Sequence, residues 1–344
     1  MLDRMSAGHL PPKHHVVHRT EDGGLCYEEC HTRAGFDGPY SILYHQNPPQ
    51  QQRHGQAKHG WRIPQEAPQG PLAKRHFRTQ AFPPLGGPAI DARRPLLFND
   101  DVAVYLVQPD APDPVYNTNA DADTLLFIQQ GGGVLMSPFG PLHFTANDYV
   151  CVPKGVIHRF IPTPGVDHRW LAVECFGGVG IPSRWRNNLG QLRMDAPYCH
   201  RDFQRPRFEG PMDEGIRDVV VKRNNRFTTF TQVHNPMDVV GWDGSVYPWV
   251  FPILAFQART GLVHLPPDWH STFDTPGAVI MSFVPRATDF HESAIPCPYP
   301  HSSVDCEEVL FYCDGAFTSR TGTGAGSVTY HPAGIPHGPQ PGNY

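Results

Sequence analysis

His301, Glu308 and His337 are two imidazoles and a carboxylate, the side chains a divalent transition metal takes as ligands. His301 opens the run His-x-Ser-x4-Glu-x6-Gly, which closes on Gly315. His337 ends the run Gly-x5-Pro-x-Gly-x2-His, through Gly326, Pro332 and Gly334. Side chains two apart on a strand share a face. Tyr299, His301 and Ser303 would therefore point together, as would Glu308, Leu310 and Tyr312 on the next strand. The turn 332-PAGIPHG-338 would present His337 from a later strand, and antiparallel pairing can bring all three to one side of an ion inside a small β-barrel. Such a set leaves octahedral positions open, which suits Fe(II) with a substrate oxygen and O2 bound together. Mn, Ni or Zn accept the same donors. A single strand His is ordinarily a core or surface residue, and Glu307-Glu308 alone would be a solvated edge. The combination with Pro-x-Gly-x-x-His points to a metal.

The frame that would hold these ligands occurs twice. The segment 124-TLLFIQQG-131 matches 308-EVLFYCDG-315, with Leu-Phe at the same offset and a closing Gly. Downstream, 148-DYVCVPKGVIHRF-160 matches 327-SVTYHPAGIPHGP-339, so Pro153, Gly155 and His158 answer Pro332, Gly334 and His337. Asn117 and Thr124 stand where the second copy has His301 and Glu308. Amide and hydroxyl neighbours around one His make a poor transition-metal site, so the first copy is expected to be structural. The repeat-equivalent spacing before Gly315 selects Glu308 over Glu307.

Composition agrees with a β-rich chain. Its 344 residues include 38 Pro and 33 Gly, and short β-branched and aromatic runs recur between turn residues. We expect a mainly β architecture of two jelly-roll-like antiparallel barrels with few short helices. Residues 1–100 would form an irregular β segment, 101–180 a degenerate first barrel without metal, 181–250 a connector, and 251–344 the metal-bearing barrel. Short strands are expected at 25–28, 41–44, 89–91 and 261–265, and a helix-and-loop region at about 181–220. The polar loop near 46–60 is a candidate lid.

A net charge of -5 gives no electrostatic case for nucleic acid or an anionic membrane. No apolar run approaches the roughly 20 residues that span a bilayer. The opening MLDRMSAGHLPPKHH lacks the apolar stretch of a secretory signal. A cytoplasmic protein is expected, its eight scattered cysteines free thiols. Cys26, Cys30 and His31 form only a weak zinc pattern.

The two motifs of the second copy resemble those of cupins. Beyond them, 238-DVVGWDGSVYPW-249, 263-VHLPPDWHSTF-273, 282-SFVPR-286, 308-EVLFYCDG-315 and 331-HPAGIPHGPQPG-342 resemble bacterial homogentisate 1,2-dioxygenases, as do 21-EDGGLCYEE-29 and SILYHQNPP. The resemblance implies a bicupin that opens homogentisate with O2 to maleylacetoacetate, in tyrosine and phenylalanine breakdown. It implies Fe(II) on His301, Glu308 and His337, and a substrate pocket lined by Tyr299 and His331. Phe317 stands where some members have a substrate-contacting tyrosine, which bears on the exact aromatic acid. The family's phenol-proton histidine falls on His264 or His270; His264 is favoured because it precedes the local proline. Trimers or hexamers are implied, with no nucleic-acid or membrane partner. Family members usually continue beyond the last ligand, so an end at Tyr344 is expected to leave the second barrel without its closing strand. The rival readings are a dioxygenase for another dihydroxylated aromatic, such as a gentisate-like or natural-product phenol, and a non-catalytic bicupin that binds a small ligand or serves in assembly.

Overall fold

The computed structural model describes residues 2–58, 62–315, 317 and 319–342. The chain divides into two compact units. The first comprises Met1–Pro64, Leu85–Phe256 and Thr272–Ile280; the second comprises Gln65–Pro84, Gln257–Ser271 and Met281–Tyr344.

The fold is mainly β. In the first unit a six-stranded antiparallel sheet runs Trp249–Pro252, Asp148–Val152, Asp123–Gln130, Arg169–Cys175, Val102–Val107, Arg93–Phe98. A three-stranded sheet of Leu142–Thr145, Gly132–Met136 and Arg159–Pro162 packs on it. The rings of Phe144 and Phe160 on the small sheet meet Trp170 of the large one edge-on or tilted, at 5.4 and 5.5 Å. Leu142 and Phe144 point inward while His143 and Thr145 face out, the alternation of a half-buried strand. The central strand is buried continuously from Asp123 to Ile128, because it has a neighbour on each edge and protein on both faces. Each large apolar side chain so buried contributes about 1.5–3 kcal/mol.

Two four-stranded sheets also belong to this unit, beside the hairpin of Ser271–Thr275 and Ala278–Met281. One runs Met5–Gly8, Val239–Gly244, Tyr40–His45, Tyr27–Thr32. The other runs Gln56–Lys58, Arg226–Thr231, Asp218–Arg223, Tyr116–Asn119, its last pair parallel. Part of the proposed lid loop is therefore an edge strand, and its His59 and Gly60 lie outside the described residues.

In the second unit Arg75–Arg78, Ser327–His331 and Glu308–Tyr312 form a three-stranded antiparallel sheet. Its edge strand comes from the region expected to be irregular. Thr79 Oγ1 donates to the Gly326 carbonyl and ties the end of that strand to the repeat motif.

Several local expectations change. Strands do occur at Tyr27–Thr32 and Tyr40–His45, but Ala89–Asp91 is a turn that follows Pro88. The helical content of the 181–220 region is two single 3-10 turns, Ser183–Trp185 and His200–Asp202, since polar and breaker residues interrupt any apolar helical period, and the strand Asp218–Arg223 begins at its end. Residues 261–265 and 299–303 are not strands. Pro266 and Pro300 have no N–H to give a ladder, and His301 keeps just one bridge, to His337. Tyr344 lies outside the described residues. Among the described residues no helix is long and apolar enough to cross a membrane.

Candidate metal centre

The second-unit sheet sets Glu308 opposite His331, and the His301–His337 bridge brings the remaining imidazoles beside them. The bridge carries two backbone hydrogen bonds of 2.8 Å. Gly334, at φ +79°, makes the turn before His337, and its N–H reaches the Ser303 carbonyl at 2.6 Å. Ligand atoms of His301, Glu308 and His337 all lie within 4.8 Å of one another. Glu308 Oε1 is 3.9 Å from His301 Nε2, and Oε2 is 3.4 Å from His337 Nε2. Among the described residues no other such group of three is found, so Cys26, Cys30 and His31 do not assemble a site. All eight cysteines are free.

The tautomers suit a cation. Nδ1 of His301 lies 3.1 Å from the Tyr299 carbonyl, and Nδ1 of His337 lies 3.0 Å from the Ile335 carbonyl. A ring nitrogen against a carbonyl must carry the proton, which leaves each Nε2 lone pair directed elsewhere. Nε2 of His337 is buried without a hydrogen-bond partner, although Glu308 stands nearby. A buried acceptor with no donor is costly, and a metal ion would satisfy it. Two neutral imidazoles and one carboxylate therefore fit a divalent transition metal. Burial alone would raise the pKa of Glu308, but the hydrogen bond from His331 and the neighbouring imidazoles outweigh it and lower the value.

His331 was expected in the substrate pocket. It lies in contact with the ligand carboxylate: its Nδ1 donates to Glu308 Oε2 at 2.7 Å, and its ring stacks on His337 at 4.6 Å. The pairing follows from the strand register, which places His331 opposite Glu308 and which the sequence does not display. Glu307 is exposed and accepts a 3.4 Å hydrogen bond from the Tyr330 hydroxyl, so it faces away.

Tyr299 is half exposed and stands edge-on to both His264, at 5.6 Å, and His301, at 6.4 Å. His264 therefore neighbours Tyr299, whose ring in turn neighbours His301. The pKa of His264 is lowered by burial and by Arg286. His270 is almost fully buried at the end of the 3-10 turn Pro267–His270, where it packs on Phe283 at 4.6 Å. Burial, with Arg286 and His264 nearby, lowers its pKa to about 4. Phe317 packs edge-on against Tyr312, on the Glu308 strand, at 4.7 Å.

The first unit repeats this frame without the ligands. Asn117 bridges His158 through bonds of 2.7 and 2.9 Å, and the Gly155 N–H reaches the Asn119 carbonyl at 2.8 Å. Thr124 pairs with Val152 as Glu308 pairs with His331. His158 Nδ1 again meets the carbonyl two residues earlier, at 2.9 Å. Burial lowers the pKa of His158 to about 4. A protein cation supplies charge in this interior: the ammonium of Lys222 contacts the fully buried Glu174, which also takes Arg93, Tyr105 and Asn119 at 3.3, 3.1 and 3.0 Å.

Comparison with known proteins agrees with this geometry. The homogentisate 1,2-dioxygenase N-terminal family model matches residues 98–253. A protein of Saccharolobus solfataricus named "Putative dioxygenase SSO1533" is 32% identical over 338 residues, 97% of this chain and 86% of that protein. A homogentisate 1,2-dioxygenase of Bradyrhizobium diazoefficiens is 26% identical over 247 residues, covering 69% of this chain and 53% of that protein. A solved cupin-2 domain protein of Shewanella frigidimarina aligns with 24% of this chain and 78% of its own, at 20% identity and a TM-score of 0.22. That overlap is too slight to bear on function. The similarity that extends along nearly the whole length of this chain shows that it belongs to the homogentisate dioxygenase family.

Proposed function

We propose that this protein is an Fe(II)-dependent ring-cleaving dioxygenase that opens homogentisate with O2 to maleylacetoacetate in tyrosine and phenylalanine catabolism. The observation that carries the reading is the His301, Glu308, His337 cluster, whose Nε2 lone pairs and carboxylate converge within 4.8 Å. Family membership supports the dioxygenase class. His301, Glu308 and His337 would hold the metal, which supplies Lewis acidity and a common template for the aromatic substrate and O2.

The chain's own residues do the rest. His331 fixes the Glu308 carboxylate, so the ligand keeps one orientation as substrate arrives. Tyr299 offers a ring face and a hydroxyl beside His301, suited to orient a dihydroxylated ring. His264 stands edge-on to Tyr299, burial and Arg286 lower its pKa, and it can take the phenol proton as substrate binds. His270 is deeper and would shape the wall. Phe317 leaves that position without a phenol hydroxyl, which favours a second reading in which the substrate is another dihydroxylated aromatic. The first barrel acts structurally in this account, without metal. A cytoplasmic location and a trimeric or hexameric assembly belong to the same proposal and rest on the family resemblance.

The test is O2 uptake by Fe(II)-loaded protein with homogentisate, gentisate and hydroquinone in parallel. Fastest turnover of homogentisate supports the substrate named here. Preference for gentisate or hydroquinone moves the protein to the second reading.

A further inference from the structure

The first unit holds a cavity of about 70 Å³ that the proposed reaction does not use. One wall is the polar face of the sheet formed by Tyr27–Thr32 and Tyr40–His45. The opposite face of this sheet is apolar, carrying Ile42 and Tyr44 packed with Cys26. The registers Tyr27↔His45 and Glu29↔Leu43 place Glu29, His31 and His45 together on the cavity side.

His45 is the centre of this face. Its Nδ1 is 2.7 Å from Asp238 Oδ1 and its Nε2 is 3.0 Å from Glu29 Oε2, with only 3% of the side chain exposed. Two carboxylates, one on each nitrogen, require both nitrogens to donate, so the ring is an imidazolium. Asp238 takes three hydrogen bonds in all, because its Oδ2 also accepts the backbone and side-chain N–H groups of Asn47 at 2.8 Å each. The trio carries two negative charges against one positive. The surplus falls on Glu29, whose side chain is 40% exposed and opens toward the cavity.

A second acceptor stands beside it. His31 Nε2 lies 3.2 Å from the Lys154 carbonyl and therefore donates, leaving Nδ1 as a lone pair. The remaining walls combine Pro48, Pro138 and Phe139 with the amides Gln52, Gln232 and Asn235. The cavity thus offers a net negative charge and two acceptors between mixed polar and apolar walls. A water needs roughly 10–15 Å³ of such volume, so the space suits an occupant of about five non-hydrogen atoms.

We propose that this cavity binds a small organic cation, a primary ammonium or guanidinium head group, which donates to Glu29 Oε1 and His31 Nδ1. A cation balances the charge, and its N–H groups match acceptors that a carboxylate or an ether could not satisfy.

The test is calorimetric titration of the full chain with n-propylamine and methylguanidine, with n-propanol and acetate as controls. The proposal expects saturable binding of the two cations in the millimolar range. It expects none of the controls to bind at comparable affinity. Glu29→Gln should weaken cation binding about tenfold, the scale of one charge-assisted hydrogen bond. Folding of that variant is checked by its unfolding midpoint and by unchanged metal uptake at the second-unit cluster. His31→Phe should weaken binding independently. Absence of saturable binding, binding of n-propanol equal to that of n-propylamine, or full cation affinity in folded Glu29→Gln would each overturn the assignment.

Discussion

His331 Nδ1 donates to Glu308 Oε2 at 2.7 Å, directly across the register that pairs the two residues on neighbouring strands. The carboxylate proposed to hold the metal is therefore oriented before any ion arrives. Removing a hydrogen bond to a metal ligand typically lowers affinity about 10–100-fold. His331→Phe should show a loss of that size, measured by competition with a chelator, and His331→Gln should recover part of it. Unchanged affinity in His331→Phe would remove His331 from the metal site.

The first unit should depend on its internal cation. Lys222 and Glu174 are a buried pair, with side chains 6% and 1% exposed. Breaking such a pair by deleting one partner costs about 3–5 kcal/mol, because the other charge stays buried. Lys222→Met should lose stability on that scale in urea unfolding. Adding Glu174→Gln should restore part of it. A double variant less stable than the single would contradict this electrostatic account.

His45 makes stability depend on pH. Burial opposes its charge, but hydrogen bonds to Asp238 and Glu29 outweigh it and raise the pKa to about 9. The folded value lies above the unfolded value of about 6.5, so the stabilisation is full below that pH and is lost as pH rises through 9. The contribution is on the order of 3 kcal/mol. Urea midpoints from pH 6 to 10 should fall in the wild type, and His45→Gln should flatten that part of the slope. A variant with the wild-type slope would locate the titration elsewhere.

Metal content separates the two copies of the frame. His301→Ala and Glu308→Ala should lose iron and turnover together. Thr124→Ala, at the equivalent first-copy position, should retain both within about twofold, as expected of a position outside the metal's ligand set. Iron lost from Thr124→Ala would place metal in the first unit.

The repeat was legible because its glycines have a physical task. Gly155 and Gly334 adopt φ of +83° and +79°, and each presents its N–H to the partner segment in the same way. The convergence of His301, Glu308 and His337 could be read from that frame. Local strand order around it could not, since prolines at 298 and 300 free His301 from any ladder although its neighbours alternate as in a strand. The edge strand Arg75–Arg78 was hidden for another reason. Its sequence, RHFR, has no apolar period, and its partner lies some 250 residues further along the chain. Long-range polar groups were equally invisible: His45 meets Asp238 across 193 positions.

Ring cleavage is assigned to the His301, Glu308, His337 cluster. Its most direct test is O2 consumption by Fe(II)-loaded wild-type protein given homogentisate, with ring-opened product followed in the same cuvette and Glu308→Ala beside it. The account predicts one O2 consumed per substrate opened in the wild type and none above background in Glu308→Ala. Iron bound at this cluster without O2 uptake on homogentisate, gentisate or hydroquinone would contradict it.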